Sequence, residues 1–125
     1  MWLARADRTI ATAKVVLPAD PGSACNRAYY AMFYAARAAL IEAGELERAA
    51  GKTHSGMRAA FSEFLVKPGF VAAEHSRSLA EVEHDRVLAD YLGEELPETD
   101  ARLAIEQASA FIAAVKSYIT TRAKR

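Results

Sequence analysis

Arg86, Asp90 and Tyr91 stand close together in the run DRVLADYLG. An arginine keeps its charge at any physiological pH, and its planar fork of N–H groups matches a carboxylate or a phosphate. Asp90 follows by four residues, one helical turn later on the same face. Arg86 has two compatible readings. In the first, Asp90, with Glu42 or another acid from a second helix, holds the guanidinium in place. In the second, Arg86 receives an anion, the phosphate of RNA or of a nucleotide, at a site shared across a dimer. Truncating one member of a buried pair leaves the other uncompensated, at a cost of about 3–5 kcal/mol. Tyr91 falls far round an ideal helix from Arg86. It meets the arginine only if the helix ends or loosens near Leu92 and Gly93; otherwise it is an aromatic packed over the end of the bundle.

Two further stretches could bind a ligand. In KTHSG, Thr53 reads as a helix N-cap that satisfies an otherwise orphaned backbone N–H. The alternative is that Lys52 and the free amides hold a phosphate. Gly56 is expected where a neighbouring helix passes close. The second stretch is the stripe Arg27, Tyr30, Tyr34, Arg37. Arginines alternating with aromatics can stack bases and grip phosphates, but they are equally the residues of protein interfaces. Packing or a dimer contact is the preferred reading. His54, His75 and His84 show no metal-ligand spacing and have no cysteine partners, so each is read as a satisfied core or surface histidine and no metal is expected.

These side chains need a scaffold, and composition says which kind. At 125 residues the chain suits one domain, with 52% hydrophobic residues and 16 cationic against 16 anionic side chains. That excludes a disordered chain and argues against holding nucleic acid by bulk charge, while leaving room for a local basic patch. Cys25 is the single cysteine, so no disulfide forms within the chain. The start, MWLARADRTI, is broken by charges and is not a secretory signal. The longest apolar run, AYYAMFYAA, is too short to span a bilayer. A cytoplasmic location without a membrane partner is the expectation.

Apolar spacing predicts five helices and no strand. The first covers roughly 2–16 and stops at Pro18, Pro21 and Gly22. The second covers roughly 23–43, with Ser23 as N-cap and Gly44 as terminator. It carries a wide apolar face from Cys25 to Leu40, so it should be central. The third begins near Thr53, buries Met57, Ala60, Phe61 and Phe64, and ends at KPG, residues 67–69. The fourth covers roughly 71–91, with Ala72, His75, Leu79, Val82, Arg86 and Ala89 inward and Gly93 at its exit. The fifth starts near Thr99 and buries Ala104, Ala108, Phe111, Ile112, Val115 and Ile119. Amphipathic helices on short loops bury their faces against one another, which gives an all-α, up-and-down bundle.

Taken in order, NRAYYAMFYAARAALIEAG, KTHSGM, FSEFLVKPG, RVLADY and AIEQASAFIAAV resemble the HEPN family (higher eukaryotes and prokaryotes nucleotide-binding) over nearly the whole chain. The resemblance implies a bundle of four or five helices, often a homodimer. It also implies pairing with a minimal nucleotidyltransferase in two-gene toxin–antitoxin modules. Active toxin members cut RNA without a metal, using an arginine followed after four to six residues by a histidine. Arg86 matches that arginine, but Tyr91, Leu92 and Gly93 occupy the region where the histidine would stand. A tyrosine, with a pKa of about 10, is a poor base at neutral pH. Some members carry AMP on a tyrosine just after the histidine, an offset that Tyr91 does not share. The expectation is a dimeric nucleotide- or partner-binding module that lacks the ribonuclease histidine and needs no cofactor. Its rivals are a metal-independent RNA-cleaving toxin using Arg86, and a helical scaffold whose Tyr/Arg stripe binds only protein. The candidates for chemistry are Arg86, Asp90 and Tyr91; those for binding are Lys52, Thr53, Arg27, Tyr30, Tyr34 and Arg37.

Overall fold

The computed structural model describes residues 1–49, 53–92 and 95–123. Lys52, Gly93, Lys124 and Arg125 lie outside the described residues. In order, the elements are α1 (Trp2–Val16), α2 (Pro21–Glu42), the single turn α3 (Leu46–Ala49), α4 (His54–Phe61), α5 (Ala73–Leu92) and α6 (Glu98–Ala123). A π-helical turn, Ser62–Val66, continues directly from α4. Among the described residues there is no strand, and the expected all-α bundle is what forms.

The helix starts follow capping chemistry. α2 begins at Pro21, two residues before the expected start, because Asp20 is the N-cap and Ser23 is not. The Asp20 carboxylate accepts the Ser23 backbone N–H at 3.1 Å and the Ser23 hydroxyl at 2.6 Å. Those two bonds hold the Asp20 carboxyl below its usual range, the hydroxyl's contribution being the larger. Pro21 fits the first helical position, where its missing N–H costs nothing. At the other end Gly44 takes φ +86°, and the Glu45 amide reaches back to the Leu40 carbonyl, a left-handed stop that glycine adopts without strain.

Every other element packs against α2. Six of its alanines, Ala24, Ala28, Ala31, Ala35, Ala36 and Ala39, are fully buried, which lets neighbouring helices approach closely. Tyr29, Met32 and Leu40 fill the space between them, and Phe61 of α4 meets Phe111 of α6 with ring centroids 4.9 Å apart. The π turn alters one expected face. Its wider turn carries the inward position past Phe64, which is half-buried, to Leu65, which is fully buried. α5 starts at Ala73, so Ala72 is exposed and Val71 takes its place in the core. Leu79 and Val82 are buried as expected, whereas Arg86 and Ala89 stand at the rim. On α6, Tyr118 is the buried residue and Ile119 is half-buried.

Candidate functional site

The site forms where the first residue of α4 meets the middle of α2 and the second half of α5. Thr53 caps α4 as expected, its hydroxyl accepting the Gly56 amide at 3.1 Å. Gly56 is required by that cap and not by a passing helix, because a Cβ there would lie 2.6 Å from Thr53 Oγ1. The cap fixes His54 as the first helical residue. Its ring lies among Tyr29, Tyr30 and Phe33, with centroids 5.3, 6.0 and 5.3 Å away.

Tyr29 is fully buried and its hydroxyl lies 2.5 Å from His54 Nδ1. Burial pushes the Tyr29 phenol up, nearby Glu83 adds to that, and Arg86 opposes it. The phenol therefore keeps its proton, and the ring's tautomer sets which partner donates: with Nδ1 unprotonated, the hydroxyl donates to it. Burial, then the Arg86 and Arg58 charges, hold the His54 imidazole below its ordinary pKa, with Glu83 opposing. A neutral ring that accepts at Nδ1 carries its own hydrogen on Nε2, so it offers a donor there.

Arg86 packs on the same two tyrosines. Its guanidinium carbon is 5.0 Å from the Tyr29 ring centre and 5.9 Å from that of Tyr30. Nη1 donates to Asp90 Oδ2 at 3.2 Å, as the four-residue spacing requires. Nε is buried and has no hydrogen-bond acceptor among the described residues. The Arg86 side chain is only 14% exposed and that of Asp90 is 43% exposed, so the pair sits at the edge of the bundle and not inside it. Glu42, the expected second acid, lies instead 3.9 Å from Arg122. A guanidinium that is partly desolvated and packed against aromatic rings attracts anions more strongly than one in open water.

The other candidates divide. Tyr91 is 81% exposed, so it neither joins Arg86 nor packs over the bundle end; it points away because the helix continues unbroken through it. Tyr30 belongs to the site and also touches Tyr34, at 6.3 Å. Tyr34 and Arg37 form a second cluster with Trp2 and Arg5 of α1, and Arg37 Nε donates to the Ala49 carbonyl at 2.8 Å. Arg27 lies in a separate cleft with Arg8. His54 was missed as a site residue because its sequence was weighed only for metal binding. The available signal was its place directly after an N-cap, which fixes the side chain at a helix start. Among the described residues no three His, Cys, Asp or Glu side chains are placed to hold a metal. Among the described residues no helix is long and apolar enough to cross a membrane.

Residues 1–118 match the family model described as the HEPN domain. The chain belongs to the HEPN domain family. Two relatives agree with that assignment. A UPF0332 protein of Thermotoga maritima is 34% identical over 121 residues, covering 94% of this chain and 88% of the relative. The UPF0332 protein glr0978 of Gloeobacter violaceus is 36% identical over 89 residues, covering 70% of this chain and 68% of the relative. Within this HEPN domain, the arginine of α5 shares the Tyr29 and Tyr30 rings with an imidazole that comes from α4 and not from its own helix.

Proposed function

We propose that this HEPN protein is a dimeric module that binds a nucleotide or a protein partner through the Arg86 site and acts with a minimal nucleotidyltransferase. The observation that carries this is the Arg86 guanidinium, packed on Tyr29 and Tyr30 and steered by Asp90. Beside it lies His54, bonded to the Tyr29 hydroxyl and held toward its neutral form. In the tautomer that accepts at Nδ1, its Nε2 hydrogen and the fixed cation together suit an anionic oxygen. That tautomer suits proton abstraction less well, because its lone pair is then engaged by Tyr29.

One observation favours a second reading, metal-independent RNA cleavage. His54 is an imidazole on the same aromatic surface as Arg86, and a ring rotation that breaks the Tyr29 bond would free it as a base. Incubating the purified protein with end-labelled RNA, with and without chelator, separates the two. The binding module leaves the RNA intact in both tubes. Cleavage that persists in chelator and disappears in His54→Asn would establish the nuclease and overturn the first reading.

A further inference from the structure

The α1–α2 seam carries a second cationic surface, built from different arginines and bordering the Arg86 site at Tyr30. On α1, Trp2, Arg5, Arg8, Thr9 and Thr12 share the outward face. On α2 the facing stripe is Arg27, Tyr30, Tyr34 and Arg37. α2 has no acidic residue before Glu42, and the one acid of α1, Asp7, is turned to Lys116 of α6 at 2.9 Å. No carboxylate pairs with Arg5, Arg8 or Arg27 among the described residues. In a chain with balanced charge, this seam is where unpaired positive charge collects.

The arginines at one end are held in place by rings. Trp2 and Tyr34 stack with centroids 5.7 Å apart. The Arg5 guanidinium lies 4.6 Å from the Tyr34 ring centre, and that of Arg37 lies 4.6 Å from Trp2. At the other end Arg8 and Arg27 line one cleft of about 290 Å³ with Thr9 and Thr12. The threonine hydroxyls donate to their own helix, to the Arg5 and Arg8 carbonyls, so the arginines are the donors left to a ligand. Ten residues of helix separate Arg27 from Arg37, about 15 Å of seam.

We infer that the α1–α2 seam binds a linear chain of phosphate groups through Arg5, Arg8 and Arg27. The Trp2 and Tyr34 faces are already covered by guanidinium groups, so the rings fix the cations and do not stack bases. The Arg5 fork, fixed in advance against Tyr34, loses little side-chain freedom on binding, and guanidinium forks match phosphate oxygens in pairs. An acidic peptide fits less well. Its side chains alternate across an extended strand, so only every second carboxylate faces the seam. A phosphate chain carries its anions on the backbone itself, so each repeat can turn an oxygen toward the seam. This surface is separate from the Arg86 site and stands without it.

Fluorescence anisotropy with labelled inorganic polyphosphate and with labelled oligouridylate tests this, at several salt concentrations. Binding of one or both probes is expected, with affinity falling steeply as salt rises. The exposed double variant Arg8→Gln/Arg27→Gln should bind at least tenfold more weakly. Its log–log salt slope should be shallower by about 1.4, two contacts at about 0.7 each on a single strand. Placed in an Arg86→Gln background, the same double substitution should still weaken probe binding at least tenfold, so failure here is distinguishable from failure at the Arg86 site. Polyphosphate binding equal to that of oligouridylate identifies the phosphate chain alone as the ligand, whereas binding of oligouridylate only assigns the seam to a nucleic-acid strand. The inference is overturned if neither probe binds, if the double variant binds as well as wild type, or if polyglutamate of equal charge competes as strongly. It is also overturned if the double variant merely dissociates a dimer and leaves the probe affinity unchanged.

Discussion

At the scale of single residues, the chemistry turns on how α2 tyrosines set the state of their neighbours. Tyr29 bonds to His54, and the imidazole is held toward its neutral form by burial first and then by the charges of Arg86 and Arg58, with Glu83 opposing. A histidine whose folded pKa lies below its ordinary 6.5 binds fewer protons folded than unfolded. Stability then rises with pH: the contribution is complete well above 6.5 and is lost as pH falls from 6.5 through the lower folded value. Wild type should therefore lose more stability than His54→Asn when denaturant titrations are repeated from pH 7.5 down to pH 5. Equal losses in the two proteins would show that His54 is not the group responsible. Asp85, raised mainly by burial and next by the Asp100 charge, works in the opposite sense above 3.8, and comparing the two proteins cancels it. Arg86 also has a structural share. Because Asp90 is 43% exposed, truncating Arg86 should cost less than the 3–5 kcal/mol of a fully buried pair. Losing a stacked guanidinium and a half-exposed ion pair costs about 1–2 kcal/mol, so Arg86→Ala should remain folded at 25 °C and shift the urea midpoint only modestly.

At the scale of elements, the start of α4 positions the site. Adding a Cβ at Gly56 displaces Thr53 Oγ1 from the amide it caps. Gly56→Ala should cost about 1 kcal/mol in the wild-type background, the typical worth of an N-cap. In a Thr53→Ala background the cap is already gone, and the same substitution should be neutral or stabilising, since alanine favours the helix. A double-mutant cycle by thermal melts checks this; equal losses in both backgrounds would show that the clash lies elsewhere. α2 offers a second test, because Ala28 and Ala35 are fully buried with no room beside them. Ala35→Leu should cost about 1–3 kcal/mol from overpacking. The helices themselves were legible in the sequence, because their apolar residues recur at helical spacing and glycine or proline marks the breaks. Capping was legible at Thr53 and misread at Ser23, where the preceding Asp-Pro pair was the better signal. The Leu65-for-Phe64 exchange was not legible, because a π turn leaves no mark in a pattern counted at 3.6 residues per turn. The Arg86–Asp90 pair was legible because it is local. The joining of His54 to Tyr29, 25 residues apart, depends on how α4 lies across α2, and no spacing within either helix encodes that.

At the scale of the whole molecule, α2 organises both charged surfaces, with Tyr30 between them. It lies 5.9 Å from the Arg86 guanidinium and 6.3 Å from Tyr34. Formal charge is zero overall, yet the α1–α2 seam gathers Arg5, Arg8 and Arg27, which no carboxylate of the described residues pairs, while Asp20, Asp90 and Glu95 line a cleft of about 500 Å³ at the end of α5. Such segregation orients an anionic partner without giving the protein a basic character. The module reading also expects a dimer. Sedimentation equilibrium should return twice the 13.6 kDa chain mass, and a strict monomer at high concentration would remove the shared-site version of the account. If Arg86, fixed on its two tyrosines, receives an anion, calorimetric titration of AMP into the folded wild-type and Arg86→Gln proteins should show saturable binding that weakens at least tenfold in the variant, about 1.4 kcal/mol. Equal affinity in the two proteins, or no saturable heat from wild type at millimolar nucleotide, would contradict anion binding there.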